Sequence, residues 1–556
     1  MSGPTVIGLA FGNTTSSIAI EKDGKVELIA NQDGDRAIAS VISYVGSDEY
    51  HGAQAKAQLI RNAKNTVAYF RDFLGVSFDN VDPTNSHASA HPVELNGQAS
   101  FSLKTEDDDE ETGEVKPAKL LSVHEIAVRH LDRLRESAAD YIGKAIDGAV
   151  IAVPTDYSEE RRQAIVAAAK DANLKILQVI NEPTAALLAH VSANGDSTDK
   201  KYAVIDIGGT RSDGAIIASR GGIFTILTTL HNYELGGKNL DEALVDFFAK
   251  DFEKQHKVDP KTEARAVAKL LAESESTKKT LSNTSSANFA VESVAQGYDY
   301  SLSINRLRFE VAARSVFTKI TQFVEELIKK ANLDVLDIDE VLLVGGTSAV
   351  PKVATSIASL FDESVTKISA PAFDTKAIQP DELISRGAAI QASLVAGYDD
   401  EEINESLQAV VTVAPHTTKS IGVKVGDNEY VEVIASETAL PIRKTVTLST
   451  PADATAVLVG VYEGASEIVV TKVEKEEKKD DAEDDESDWS EDEEDEEIRT
   501  KVLKPAAKIA ELGLQNIPAG SKVEVVLNIT RELKLQIAAR AGSVAVRGET
   551  AVAHVA

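Results

Sequence analysis

The stretches "IGLAFGNTTSS" (7–17) and "VIDIGGTRSDG" (204–214) can be laid on one another, and that pairing decides the fold. Each reads as an apolar strand, a glycine turn and a second strand rich in small polar residues. The overlay pairs Ala10 with Asp206, Gly12 with Gly208 and Thr14 with Thr210. Glycine followed by Asn13, Thr14, Thr15 and Ser16 can turn backbone N–H groups and hydroxyls toward an anion. A chance match of two glycine turns is the alternative. Taken as a repeat, the pair predicts a duplicated, two-lobed protein with a cleft between the lobes. Asp206 keeps a carboxylate before its turn, and Ala10 has none.

The bulk numbers narrow the class. The 556 residues are enough for about three to four structural units, and 43% apolar content is ordinary for a globular chain. The absence of cysteine excludes disulfide scaffolds, zinc–cysteine sites and thiol catalysis, and suits a reducing compartment. No apolar run approaches the roughly 20 residues of a membrane helix. The opening MSGPTVIGLAFG lacks the basic region of a signal peptide, so a cytoplasmic protein without membrane contact is expected. A net charge of −31 argues against direct binding to nucleic acid or anionic lipid. Residues 480–497 hold 14 acids in 18 positions, and 106–111 read EDDDEE. Runs of this density stay solvated, so a disordered acidic insertion is expected at about 474–498. Phosphorylation of Ser487 or Ser490, beside the lone Trp489, would add charge to charge.

Along the chain, β-patterned runs at 6–20, 26–30 and 39–45 are broken by polar turns. Ser122 and Glu125 form a capping box for a helix carrying Ala127, Leu131, Leu134, Ala138 and Tyr141 on one face. "GAVIAVP" (148–154) reads as a buried strand, and Ser158 caps the next helix. This alternation predicts α/β layers. "GYDDEEINES" (397–406) reads as a charged, helix-poor connector. Beyond it strands are expected at 420–425, 430–435, 445–450, 456–462, 523–529 and 533–537, with Leu533, Leu535 and Ile537 on a buried face. The reading is a nucleotide-binding domain over 1–395 (lobes about 1–195 and 196–395), a linker at 396–414 and an antiparallel β domain over 415–556. Gly24-Lys25, Gly143-Lys144 and Gly237-Lys238 lack P-loop spacing. His124 and His130 lack zinc-protease spacing and read as ordinary helix residues.

Several segments together resemble the 70-kDa heat-shock chaperones, built on the actin-like ATPase fold. The most specific is "INEPTAALLAH" (180–190). Beside the two hairpins stand "YELGGKNLD" (233–241), "ESTKKTLSN" (275–283), "EVLLVGGTSAVPKV" (340–353) and "IQPDELISRGAAIQA" (378–392). "VYEGAS" (461–466) and "LNITRELKLQIAAR" (527–540) carry the resemblance into the β domain. It implies an ATP site formed by Gly12, Asn13, Thr14, Arg71, Asp206, Gly208, Gly209, Thr210, Glu275, Lys278, Ser282, Gly345, Gly346, Thr347 and Asp381. Glu275, Lys278 and Ser282 share one helix face, and the resemblance assigns them to ribose and adenine. Without it, Glu275 and Lys278 would read as an exposed helix pair.

The departures carry the functional expectation. ATP hydrolysis needs magnesium near the phosphates, a positioned water and cations on the developing charge. One hairpin carboxylate is replaced by Ala10. The catalytic lysine's place falls on Arg71, whose planar fork cannot hold a water as an ammonium does. A threonine's place falls on Arg211, which could grip phosphate or crowd it, and the adenine-stacking arginine is Ala349. Binding without turnover is expected, with a companion Mg2+ doubtful and no metal assigned to protein ligands. The leucine-rich linker is replaced by "NESLQAVVTVAP" (404–415), and a β-sandwich without its helical lid is expected. These departures resemble an atypical branch of the family, found in fungal ribosome-associated complexes. That resemblance implies a stable heterodimer with a J-domain protein of the zuotin type, which would bring the chain to the ribosome and support nascent-chain folding by stimulating a second, active 70-kDa chaperone. The rival readings are a slow ATP-driven chaperone that binds extended peptides itself, and a small-molecule kinase on the same two-lobed fold, for which the β domain would have no use.

Overall fold

A computed structural model describes residues 3–84, 88–106, 116–195, 198–408, 415–426, 429–473 and 496–552. The chain divides into two compact units, one running to Val410 apart from two short segments, the other comprising Val411 onward with 198–200 and 218–225.

The first unit is built on two sheets with helical cover. In the first sheet the order is Ile176–Asn181, Gly148–Val153, Val6–Phe11, Thr15–Lys22 and Lys25–Ile29, with Ile38–Ala39 beside Thr15–Lys22. Val6–Phe11 runs parallel to Gly148–Val153, pairing Ala10 with Ala152, and antiparallel to Thr15–Lys22, pairing Ala10 with Ser17. The second sheet repeats the plan: Ile223–Asn232, Ser212–Arg220, Lys200–Ile207, Glu340–Val344 and Lys367–Ser369. Its central strand is parallel to Glu340–Val344, with Asp206 opposite Val344. Each central strand therefore ends in a glycine hairpin, the duplication expected from the overlay. Every residue of Gly148–Val153 is buried, as a parallel strand covered on both faces requires. Two separate apolar cores result, one around Ile7, Leu9, Phe11 and Ile151, the other around Ile205, Ile207, Leu244 and Phe248.

Local signals largely set the helices. The Ser122–Glu125 capping box opens the helix Val123–Ile142, which buries Ala127, Leu131, Leu134 and Ala138 and ends at a left-handed Gly143. Tyr141, the penultimate residue of the helix, is 54% exposed, so the apolar face stops earlier than its spacing predicts. Ser158 stands at its cap position but makes no side-chain cap bond. The connector is corrected. Asp399 accepts hydrogen bonds from the Glu401 and Glu402 N–H groups, and this capping box nucleates the helix Asp400–Ser406. Ile403 is buried there, and Ser406 Oγ donates to Leu177 O at 2.6 Å, so this part of the linker packs on the first unit.

The second unit holds two four-stranded antiparallel sheets. One runs Glu429–Ile434, Ile421–Val425, Ala456–Val473, Glu496–Gln515; the other runs Ile442–Ser449, Lys522–Ile529, Lys534–Ala541, Val544–Ala551. The strands at 496–515 and 544–551 were not expected, and that beginning at 456 is far longer than its apolar run. Leu533 lies outside its strand at φ 58, with Leu535 and Ile537 buried beyond it. Glu496, Glu497 and Ile498 belong to a strand, which shortens the expected insertion. Residues 474–495, 107–115 and 409–414, with Ser487, Trp489 and Ser490, lie outside the described residues. No helix is long and apolar enough to cross a membrane among the described residues.

Candidate functional site

The two hairpin turns meet. Asn13 Nδ2 donates to Thr210 Oγ1 at 3.3 Å, and a Cβ placed on Gly209 would lie 2.6 Å from Thr14 Oγ1. Only glycine permits that approach. The first two N–H groups of the helix Gly237–His256 donate to Gly208 O and Gly209 O at 2.9 and 2.8 Å, which presses a helix N-terminus onto the second turn. Its dipole favours negative charge nearby.

Several other expected residues gather around this point. Thr347 Oγ1 donates to Gly208 O at 2.9 Å. Lys278 Nζ donates to Gly237 O at 3.1 Å and to Asp241 at 2.8 Å. Gly345, at φ 82, lies so close to Asp206 that a Cβ would sit 2.2 Å from its Oδ1, and Gly346 faces Asp381. Glu275 turns elsewhere. It receives Lys56 Nζ at 2.7 Å, from the first lobe, and Lys279 at 2.9 Å. Burial would raise its carboxyl, but Lys56 and Lys279 pull it down to about 2. Ser282 Oγ donates within its own helix, to Lys278 O, and shows no bond to either hairpin. Ala349 is exposed.

The two arginines at the altered positions are spent on protein carboxylates. Arg71, 4% exposed, bonds Asp72 at 2.9 Å, Phe11 O at 3.1 Å and Glu182 at 3.3 Å. Burial would lower its guanidinium, but Asp72, Tyr157 and Glu182 hold it above the ordinary range. Arg211, 5% exposed, donates to Asp213 at 2.7 Å and to Asp156 at 3.1 Å, and lies 4.3 Å from the Tyr233 ring centroid. Asp156 follows a strand of the first sheet, whereas Asp213 and Tyr233 belong with the second, so this guanidinium bridges the lobes. Burial, aggravated by Asp213, pushes Asp206 up; burial and Asp206 likewise push Glu182 up.

Glu182, Asp213, Asp156 and Asp72 were not singled out from the sequence. Glu182 lies inside the quoted "INEPTAALLAH", and Asp213 stands two places after Arg211, so the signal was adjacency to residues already chosen. Asp156, Asp213 and His231 bring ligand atoms within 4.8 Å of one another, among the described residues. A magnesium ion asks for a near-octahedral set of oxygens. Ala10 offers none, and Arg211 already takes Asp156 and Asp213, so these residues do not fit a protein-held magnesium. They do fit an anionic nucleotide. Arg211 Nη1, a donor, is buried with no hydrogen-bond partner among the described residues. A buried orphan group of this kind calls for a ligand or water.

The chain is also similar to known proteins. The family model for the Hsp70 protein matches residues 6–477. The chain is 46% identical over 541 residues to the ribosome-associated complex subunit SSZ1 of Saccharomyces cerevisiae, covering 97% of this chain and 98% of that one. It is 42% identical to a heat shock protein 70 homolog of Schizosaccharomyces pombe over 98% of this chain and 96% of the relative. It is 32% identical to heat shock cognate 70 kDa protein 3 of Dictyostelium discoideum, over 83% of this chain and 71% of that protein.

Proposed function

The chain belongs to the Hsp70 family, and from that premise we propose that it is the Hsp70-like subunit of a cytoplasmic, ribosome-associated chaperone complex. In this reading it holds ATP as a structural ligand without appreciable hydrolysis. One observation carries it. Two cations beside the hairpins, Arg71 and Arg211, are bonded to Asp72, Glu182, Asp156 and Asp213, and residue 10 is alanine. A transition state for phosphoryl transfer needs cations free to follow the developing charge. Losing one well-placed group commonly costs on the order of a hundredfold or more in rate.

The relative's name supports the ribosomal setting, because the likeness to that subunit extends over nearly both whole chains. The partner in this proposal is a J-domain protein of the zuotin type, which makes the ribosome contact. The second unit holds an extended segment of that partner on a sheet edge, by strand addition. The heterodimer then supports nascent-chain folding by stimulating a second, active chaperone.

A single-turnover assay of the full chain with labelled ATP, beside the double variant Ala10→Asp, Arg71→Lys, tests the reading. The wild type is expected to bind ATP and return it uncut over hours. Hydrolysis at the variant's rate would favour the alternative, a slow ATP-driven chaperone that binds extended peptides itself. Deleting residues 410–556 is expected to abolish partner binding and leave ATP binding in place.

A further inference from the structure

A polar pocket of about 290 Å³ opens in the first lobe, apart from the two hairpin turns. It is lined by the buried His130 and by His51, with four carboxylates (Asp33, Glu49, Asp132, Glu136) against two guanidiniums (Arg129, Arg133). The arginines are engaged, Arg129 with Glu49 at 3.3 Å and Arg133 with Glu136 at 3.6 Å.

His130 is 1% exposed, and its ring is fixed between Phe11 and Phe70 at 5.6 and 5.7 Å. Burial, and His51 beside it, push its imidazole down to about 3, so the ring is neutral. Its tautomer follows from a chain of hydroxyls. Ser40 Oγ donates to Gly12 O at 2.7 Å, and a carbonyl can only accept. Ser40 has no second proton, so Ser16 must donate to it across their 3.0 Å contact. Ser16 is then an acceptor toward His130 Nε2, also at 3.0 Å, which puts the imidazole proton on Nε2. His130 Nδ1 is left as a bare, buried lone pair with no donor among the described residues. His51 Nε2 meets the Glu49 carboxylate at 2.8 Å, and its Nδ1 is buried without a partner among the described residues.

The pocket thus combines an unsatisfied acceptor with several carboxylates, of which Asp132 is held by Arg135 at 2.6 Å, and a buried unsatisfied acceptor is costly. We propose that it binds a cationic N–H donor, a primary ammonium or a guanidinium, with His130 Nδ1 as an acceptor. We further infer that occupancy steadies the first hairpin. The route is short: His130, Ser16 and Ser40 end on Gly12 O, and Ser40 N donates to Thr14 O at 3.0 Å. Coupling to nucleotide rests on the proposed ATP site, whereas occupancy of the pocket does not.

The test uses the full chain with 15N-labelled histidine. Agmatine is titrated in, with the blocked peptide acetyl-Gly-Arg-Gly-amide and tetramethylammonium in parallel, and ATP affinity is measured with and without agmatine. His130 is expected in the Nε2–H form, with its Nδ1 resonance moving saturably with agmatine. ATP affinity is expected to rise on the order of fivefold, within the usual range for coupled sites. A matching shift with the peptide identifies an arginine side chain as a competent donor; a shift with agmatine alone points to a free amine. His130→Phe, which suits its aromatic neighbours, is expected to abolish the gain in affinity. His130→Gln, which offers an amide oxygen as acceptor, is expected to restore part of it. An Nδ1–H tautomer, an equal shift with tetramethylammonium, or no saturable shift at millimolar agmatine (a pocket that holds only water) would overturn the site. A normal shift with unchanged ATP affinity would overturn the coupling alone, and absent ATP binding would overturn the nucleotide reading while the shift still decided the pocket.

Discussion

In the first hairpin residue 10 is an alanine paired with Ser17 across the ladder, whereas in the second the matching residue is Asp206, pressed against Gly345 and pushed toward its protonated form. The first hairpin hands its turn carbonyl to Ser40. The second carries Arg211, which spends its charge on Asp213 and on Asp156 from the other lobe. The backbone geometry that grips an anion is kept in both copies. In the proposed function, the side chains that would move a phosphoryl group are lost in one and neutralised in the other. Binding and turnover, in that reading, rest on different atoms, and the first survives loss of the second.

The comparison breaks most severely at Arg211. Arg211→Ala would leave the half-buried Asp156 and Asp213 without their cation and is expected to cost up to about 3–5 kcal/mol, the usual effect of removing one partner of a buried ion pair. Chemical denaturation followed by far-UV circular dichroism reads the shift of the first unit. A change under about 1 kcal/mol would show that the network contributes little as a clamp.

Next comes the contact between the turns. Gly209→Ala sets a Cβ 2.6 Å from Thr14 and is expected to weaken ATP binding about tenfold, at a cost of about 1–3 kcal/mol for overpacking. Adding Thr14→Gly should recover most of the affinity, and failure to recover it would detach the two turns.

Lys56→Ala removes the bridge to Glu275 across the lobes and is expected to speed ATP release two- to fivefold, at about 0.5–1 kcal/mol for a partly exposed pair. Glu275 is held at about 2, so its contribution is present above about 4.3, the ordinary Glu value, and is lost as pH falls through about 2. Stopped-flow release should therefore show the same Lys56 effect at pH 5 and pH 8.

The smallest change is expected for Asp206→Asn. A raised acid binds its proton more tightly folded than unfolded, so stability falls as pH rises from about 4, the ordinary Asp value, through its raised folded value. The amide should flatten that slope and alter stability by under about 1 kcal/mol at low pH. A steeper slope in the variant would contradict burial as the cause.

Much of the fold was legible because its signals are local. The overlay of the glycine turns, the Ser122–Glu125 box and the alternation of Leu535 with Ile537 each depend on residues within a few positions. The helix at 400–406 was misread because its acidic run masked a cap at Asp399, where side-chain oxygens meet free N–H groups. The strand at 496–515 was missed because its charged start continues the acid run. Within the site, Glu275 and Lys278 sit on the expected helix but reach different partners, Lys56 and Asp241. Spacing along a helix gives a shared face and says nothing about what packs against it.

What the sequence by itself determined was the duplicated, two-lobed plan, the β-rich second half and the positions where chemistry had been exchanged. Hydrophobic period, turn residues and caps act over short range and need no partner. What only the tertiary structure decided was the fate of those exchanged residues. Arg71 and Arg211 could each have served a phosphate, and His130 looked like an ordinary helix residue. Packing set the arginines against Glu182, Asp156 and Asp213, and set His130 at the end of a hydroxyl chain running to Gly12. A buried charge or lone pair takes its meaning from the few atoms within hydrogen-bond reach, and those atoms come from parts of the chain far apart in sequence.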